Sequence, residues 1–598
     1  MKYSVLINNE TTLKAKEGQN LLNLLRKNNI NISSPCGGKK SCGKCKLRVL
    51  DGDSKISDSE LSLLSENEIK NGYRLACCIS IFSDLSIELL KEEAIKVMTD
   101  ALDVELRFDP SLNLYSFSKE ELDSEESSTY LDFLYNKSTT NNIDISSIKD
   151  LSEIIDEEII SCITFDSKIL KVSKEKVEKL YGIAVDIGTT TVALYLIDLL
   201  TGKEIDVYSF HNPQKKYGAD VISRINYTQT DGKVSELQEE IIRALNKAIS
   251  EICSKNNIHR DDIYQATIVA NTVMIHFLLG VKANSIARAP YRPIFTNSMQ
   301  LSASEINLSI NPEGVIQILP SISAYLGSDI TADLLVTDFN TKEWKLLIDI
   351  GTNGEIVLGN KDKLIACSTA AGPAFEGAKI AFGMAGVSGA ISKFEISDKK
   401  EFLYETIDFI DAKGICGSAL IDIVGEFVEK EIITRTGSFN NDMDEKFMDY
   451  MTTYQNMQAI KIAPLDSISL TKDSIDDSIL ITQKDIRELQ LAKGAIAAGI
   501  NILLKEAGID FSEINNIYLA GGFGSFIDPV NACIIGLLPE KMGDKVVKIG
   551  NGAGLGAKAC LYDKEQLLRA ERIVKQVEYI DLSLRADFQD EFLMSLEF

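Results

Sequence analysis

Two copies of one short design, set far apart, limit the folds open to this chain more than any other feature. From Tyr181 it reads YGIAVDIGTTTVALYLIDLLTGKEIDVYSF, and from Lys345 it reads KLLIDIGTNGEIVLGNKDKLIACS. In each, an apolar strand ends in Asp, a DIGT turn follows, a second strand returns, and a polar turn leads into a third. One D-x-G turn is common. Two, each after a strand that reads as buried, mark a unit duplicated at domain rather than solenoid scale.

The turns have the chemistry of phosphate binding. Gly188 and Gly351 let the backbone bend so that successive N–H groups face inward as an anion nest. Thr189, Thr190 and Thr352 add hydroxyl donors, and Asn353 completes the second turn. Asp186 and Asp349 are candidates to hold Mg²⁺ through water, because that ion keeps several waters and uses one or two carboxylates. Two such turns facing each other would clamp a triphosphate from both sides.

A third element follows the helix-patterned ITQKDIRELQLAKGAIAAGINILLKEAG, where Thr482 and Asp485 read as a capping box. NNIYLAGGFGSFIDP then runs a strand into Gly521, Gly522 and Gly524. Alone, this glycine pair is a tight turn. After two phosphate hairpins it reads as the place where adenine and ribose lie against backbone. The stretch CSTAAGPAFEGAKIAFGMAG carries Glu376, and DIGTNGE carries Glu355. Both are candidates to orient a hydrolytic water, against the plainer reading of Glu376 as a solvated side chain on a Gly-Ala packing surface. His211, His259 and His276 are scattered and form no metal or nucleophile signature.

The N-terminal part carries different chemistry. Cys36, Cys42 and Cys45 form C-x5-C-x2-C within PCGGKKSCGKC, and Cys77 and Cys78 follow in YRLACCIS. The N-terminus lacks a signal-peptide pattern, and no apolar run is long enough to span a membrane. The expected location is therefore the cytoplasm, where clustered thiols bind metal or do redox work rather than pair as disulfides. Zinc sites usually split two plus two. Three cysteines in one loop and one distant are closer to the C-x4-C-x2-C…C of a plant-type [2Fe-2S] ferredoxin, with one more residue in the first gap. YSVLIN and TLKAK alternate like hairpin arms across Asn8-Asn9, GQNLLNLLRKNN spaces leucines as a helix does, and KLRVL and LSIELL supply later strands. Lys39, Lys40, Lys44 and Lys46 interleave with the cysteines in a chain of net charge −25. They would stabilise a reduced, anionic cluster and could dock an acidic partner. The overall acidity argues against general nucleic-acid affinity.

The wider cysteine gap resembles the adrenodoxin-like ferredoxins, and RLAC resembles the segment bringing their fourth ligand, which implies Cys77 rather than Cys78. The two phosphate motifs and the glycine turn resemble the acetate and sugar kinase, Hsp70 and actin superfamily. That resemblance implies two ribonuclease H-like lobes closing around ATP, with IVANTVMIHFLLG and KIGNGAGLGAKACL as the connecting segments. The expected architecture is multidomain, α+β and α/β: a β-grasp [2Fe-2S] ferredoxin over 1–92, a linker and small middle domain over 93–179, and a two-lobed ATPase domain over 180–598. Within the middle part KEEAIKVMTDAL reads as a helix, and SKEELDSEESSTYLDF as acidic surface or linker.

Taken whole, the chain resembles the reductive activators of corrinoid proteins. The resemblance implies ATP-dependent return of Co(II) corrinoid to Co(I) by one electron from the cluster. It also implies an upstream electron donor, a corrinoid-protein partner and a homodimer, with no role for nucleic acid or membrane. Two other classes compete: a redox-sensing, chaperone-like ATPase, and a small-molecule kinase with an accessory ferredoxin domain.

Overall fold

The computed structural model describes every residue except 1, 29, 31, 33, 35–37, 39, 41, 42, 44, 53, 54, 65, 90–105, 124–126, 219, 231, 378, 465–477 and 525. The helix expected of KEEAIKVMTDAL lies outside the described residues, as does part of the acidic stretch that follows. Among the described residues no helix is long and apolar enough to cross a membrane.

At the N-terminus, Lys2–Ile7 and Thr11–Lys16 form the expected hairpin. Asn8 and Asn9 both take positive φ, as the central pair of a turn that Glu10 N closes on Ile7 O at 3.0 Å, a conformation Asn tolerates. A five-stranded sheet packs on the helix Leu21–Lys27, whose Leu21, Leu22, Leu24 and Leu25 are buried. Next in the chain, Leu112–Ser118, Ile159–Phe165, Lys168–Ser173 and Asn142–Ile143 make a four-stranded sheet with its own small core around Phe117, Phe133 and Leu134.

The duplicated design gives two six-stranded sheets that share one topology over five strands, the sixth in the second being Val577–Tyr579 beside Leu364–Thr369. In the first, Glu204–His211, Thr191–Asp198 and Tyr181–Ile187 run antiparallel, then Ile263–Ala270 and Val315–Ile318 add in parallel, with Met299–Ser302 at the edge. In the second, Leu364–Thr369, Gly354–Gly359 and Trp344–Ile350 are followed by parallel Ile514–Ala520 and Val546–Gly550. Period-two alternation splits each leading strand between two cores. Ile183, Val185 and Ile187 face the outer core with the helix Lys233–Asn256, while Ala184 faces inward. Leu346, Ile348 and Ile350 likewise face the core of the long helix Gln483–Ala507, and Leu347 turns in. That helix opens on the expected capping box of Thr482 and Asp485.

Between the sheets run two short apolar helices, Ser328–Val336 and Gly552–Tyr562. They meet backbone to backbone: a Cβ at Gly556 would stand 2.2 Å from the Ala332 carbonyl oxygen. KIGNGAGLGAKACL therefore supplies one crossing helix, as expected. Its partner is Ser328–Val336 and not IVANTVMIHFLLG, whose helix Thr272–Leu278 packs into the outer core of the first lobe. The four-stranded sheet rests on this crossing, with Leu112, Ile163 and Phe165 in the same core and Asp109 N donating to Tyr562 O at 2.7 Å.

Candidate functional site

In the N-terminal domain Cys45 and Cys77 are buried and Cys78 is partly exposed. Cys45 closes the cysteine loop just before the strand Lys46–Asp51, and Cys77 follows Tyr73–Leu75. Ala76 N donates to Cys45 O at 2.9 Å, and Cys77 N lies 3.5 Å from Cys45 Sγ. Asn20 Nδ2 fixes the Cys77 carbonyl at 2.9 Å. The hydrogen bond with Cys45, with burial adding to it, holds the Cys77 thiol far above its ordinary range. A thiolate at this position needs a cationic partner, so the donor set fits an iron–sulfur group. Cys36 and Cys42, with Lys39 and Lys44, lie outside the described residues. Gly38, Lys40 and Gly43 all take positive φ, which glycine adopts without strain.

In the two-lobed part, Asp186 and Asp349 end equivalent strands, and the turns after them approach each other. One side chain spans the gap: Thr190 Oγ1 donates to Glu376 Oε2 at 3.0 Å, and Thr352 Oγ1 donates to Glu376 Oε1 at 2.7 Å. Glu376 is thus no solvated residue on a packing surface. Phe375 beside it stacks on Phe523 of the glycine turn, 5.2 Å between ring centroids. That turn reaches the loop after Asp349 because Ile514–Ala520 runs parallel to Trp344–Ile350. Gly521, at φ +87°, leaves no room for a side chain, since its Cβ would stand 2.4 Å from Asp349 Oδ1. Gly188 is constrained likewise by the Thr191 carbonyl at 2.7 Å. Gly522 faces open space, and Gly524 ends the turn buried. Gly351 N donates to Asn353 O at 2.9 Å, closing the second loop.

Three further acidic side chains stand with these two aspartates, and sequence reasoning missed all but Glu355. Asp329 and Asp333 project from the crossing helix Ser328–Val336, and Glu355 pairs across the hairpin with Asp349. Burial, with Asp329 adding to it, pushes Asp186 up to about 8 and Asp349 up to about 7. Burial pushes Asp329 up to about 6. Glu355 and Asp333 lie well above the carboxylate range, from burial and then Asp349. Asn551 Nδ2 steadies Asp186 at 3.0 Å, and Asn271 Nδ2 donates to Thr189 Oγ1 at 3.1 Å. Both oxygens of fully buried Asp333 lack a hydrogen-bond partner. The set is short of positive charge, which a cation arriving with a nucleotide would supply. Among the described residues no three His, Cys, Asp or Glu side chains gather closely enough to hold a metal ion directly. The only local signal for the missed pair was two acids four residues apart in the otherwise apolar SDITADLLV.

Known proteins resemble the chain part by part and as a whole. Residues 5–81 match the family described as the 2Fe-2S iron-sulfur cluster binding domain, 181–342 the RACo middle region, and 343–598 the C-terminal domain of RACo, the ASKHA domain. The corrinoid activation enzyme RamQ of Eubacterium limosum is 34% identical over 576 residues, 94% of this chain and 93% of that protein. A Co(II) methylated amine-specific corrinoid protein reductase of Methanosarcina barkeri is 26% identical over 436 residues, 70% of this chain and 77% of that one. The solved structure of a reductive activator for corrinoid, iron-sulfur protein superposes with a TM-score of 0.74 at 31% identity, covering 100% of this chain and 98% of that one.

Proposed function

The chain belongs to the family of reductive activators of corrinoid proteins, and on that premise we propose that it returns the Co(II) corrinoid of a partner protein to Co(I) at the expense of ATP. Cys36, Cys42, Cys45 and Cys77 would hold the [2Fe-2S] cluster, with Cys78 left outside. When bound, the cluster supplies the single electron that Co(II) takes up in becoming Co(I).

The rest falls to the two lobes. Gly188, Thr189 and Thr190 would grip the nucleotide phosphates from one side, and Gly351, Thr352 and Asn353 from the other. Asp186 and Asp349 would position Mg²⁺ through its waters, consistent with raised carboxyls that need a cation to ionise. Gly521, Gly522 and Gly524 would lie under the nucleoside. Glu376, which reaches the hydroxyls of both turns, would orient and deprotonate the attacking water in preference to Glu355, which sits opposite Asp349 on one hairpin. The single observation that carries this reading is the Glu376 bridge, because one side chain touching both turns means the turns converge on one space.

ATP has a thermodynamic task here. A cluster near the plant-type value of about −400 mV is a weak donor for a more negative cobalt centre, and each ~59 mV uphill lowers a one-electron equilibrium tenfold. Nucleotide can offset that by favouring a complex in which the cobalt surroundings differ. The same reading includes an upstream donor that re-reduces the cluster, a cytoplasmic setting and a homodimer, the last checked by light scattering. The central test mixes chemically reduced protein with Co(II) corrinoid protein and follows Co(I) absorbance with and without Mg-ATP. A rise in Co(I) only with ATP is expected; the same extent and rate without nucleotide would overturn the proposal.

A further inference from the structure

The first phosphate loop is held from behind by the segment on which the cluster domain sits. Asn212 Nδ2 donates to Gly188 O at 2.8 Å, Arg224 Nη2 donates to Thr189 O, and Asn212 N donates to Thr190 O at 2.8 Å. A trans peptide sets its N–H opposite its C=O. With the Gly188 and Thr189 carbonyls held, the N–H groups of Thr189 and Thr190 are turned away from Asn212 and Arg224, free to meet an anion. Asn212 and Arg224 are both fully buried.

Between them the chain forms a tight strap. Asn212 caps the turn Pro213–Lys216 through Gln214 N at 2.9 Å, and Arg224 Nε donates to Gly218 O at 3.0 Å. Gln214 Nε2 is tied to Leu237 O at 3.0 Å, and the buried Lys216 ammonium pairs with Glu240 at 2.9 Å. Arg224 therefore joins the far end of the strap to the phosphate loop. The cluster domain docks on its middle. Arg26, in the last turn of Leu21–Lys27, donates to Lys216 O and to Ser34 Oγ, the latter at 2.8 Å. Its guanidinium lies 6.0 Å from the Tyr217 ring centre. Ser34 is fully buried, 3.5 Å from Lys216 O, and precedes Cys36 by two residues. Glu376, on the hydroxyl of Thr190, feels the charges of Arg224 and Lys215. A phosphate taking over that hydroxyl would change what these two cations face.

We propose that Asn212 and Arg224 are positioning residues for the first phosphate loop, and that the strap Asn212–Gly218 carries the loop's occupancy to the cluster domain docked on Lys216. The inference rests on the nucleotide role proposed above. A ligand shifts a second site only if it favours one arrangement of the part joining them, and the effect on binding is reciprocal.

Hydrogen exchange on the full, cluster-loaded chain tests it with a nonhydrolysable ATP analogue and Mg²⁺, in the absence of corrinoid protein. Protection should change together at 212–218 and at 24–34. Arg26→Ala should keep the change at 212–218 and lose it at 24–34, with the analogue still bound and its affinity shifted only by the coupling factor that the cut removes. Asn212→Ala should bind the analogue about tenfold more weakly and, at saturation, lose the change at 24–34. If calorimetry shows the analogue bound while protection at 24–34 stays constant in the wild type, the relay is refuted and the nucleotide role stands. An undiminished response in Arg26→Ala also refutes it, independently of whether Asn212→Ala folds. If no analogue binds, the nucleotide role fails and the relay with it.

Discussion

Replacing Glu376 with Gln separates two jobs given to one carboxylate. Its oxygens accept from Thr190 at 3.0 Å and Thr352 at 2.7 Å. A hydroxyl on a carboxylate contributes ~1.5–3 kcal/mol, against ~0.5–1.5 kcal/mol for a neutral pair. The carboxamide keeps one acceptor and turns the other into a donor, so the bridge should weaken by about 2 kcal/mol. On the proposed nucleotide role, phosphate takes over both hydroxyls. Glu376→Gln gives up less on binding and should hold Mg-ATP more tightly, by about thirtyfold at most and nearer tenfold once hydration of the released carboxylate is counted. Turnover should move the other way, because Gln cannot accept a proton from water, and a lost general base lowers the rate ~10²–10⁴-fold. Calorimetry measures the first effect and phosphate release the second. Glu355→Gln is the internal control: a side chain that pairs with Asp349 on one hairpin and does not bridge the two turns should lose less than about tenfold in turnover. Binding and turnover of Glu376→Gln both within twofold of the wild type would refute the reasoning.

Three further outcomes follow from the same geometry. Cys77→Ser should abolish the normal cluster spectrum and Cys78→Ser should keep it, at about two iron and two sulfide per chain; loss on changing Cys78 alone would reverse the ligand assignment. Asp186→Ala and Asp349→Ala should each weaken Mg-ATP binding or turnover by about 10–100-fold, as expected for groups acting through metal-bound water, with the cluster spectrum intact. Unchanged ATP affinity and turnover in both would count against the clamp. Asp422 accepts from Asn531 Nδ2 at 3.2 Å and Phe394 N at 3.4 Å, and burial pushes it up to about 7. A carboxyl raised on folding contributes stability that is present below its unfolded pKa and lost as pH rises through the folded one, here about 2 kcal/mol between about pH 5.5 and 7. Asp422→Asn should lessen the slope of that part of the thermal-midpoint profile, to which the raised Asp186, Asp349 and Asp329 also contribute, and an unaltered profile would sink the assignment.

Features that repeat at short range were legible in the chain itself. Alternation placed both leading strands, and Thr482 with Asp485 marked the start of the long helix to the residue. The crossing helix Ser328–Val336 was missed because it is buried on nearly every face and its apolar residues form no single stripe, as in Thr272–Leu278. Periodicity cannot tell which of two buried helices lies between the sheets and which lies outside one. Glu376 was obscured for a related reason. The small residues around it do pack closely, as a Cβ at Gly383 standing 2.1 Å from the Gly377 carbonyl oxygen shows. That Glu376 also joins two hydroxyls from opposite lobes is a tertiary fact with no local signature. Spacing likewise leaves Cys77 and Cys78 equivalent, and they part only where folding buries one beside Cys45.

Nucleotide can influence the electron only through a part of the chain that both sites bias, and two parts qualify. One is the pair of crossing helices. Their contact at Gly556 and Ala332 has no side chain to cushion it, so closure of the lobes would move them as a unit and carry along the four-stranded sheet packed on their core. The other is the strap, which reaches the cluster domain and not that sheet. The routes act on different bodies and are therefore separable. Arg26→Ala breaks the contact with the Lys216 carbonyl and leaves the crossing untouched. If the strap carries the coupling, this variant should hydrolyse ATP alone at the wild-type rate, yet reduce Co(II) with a yield that no longer depends on nucleotide. If the yield still rises with ATP as in the wild type, the coupling runs through the crossing helices, and the docked cluster domain is a passenger.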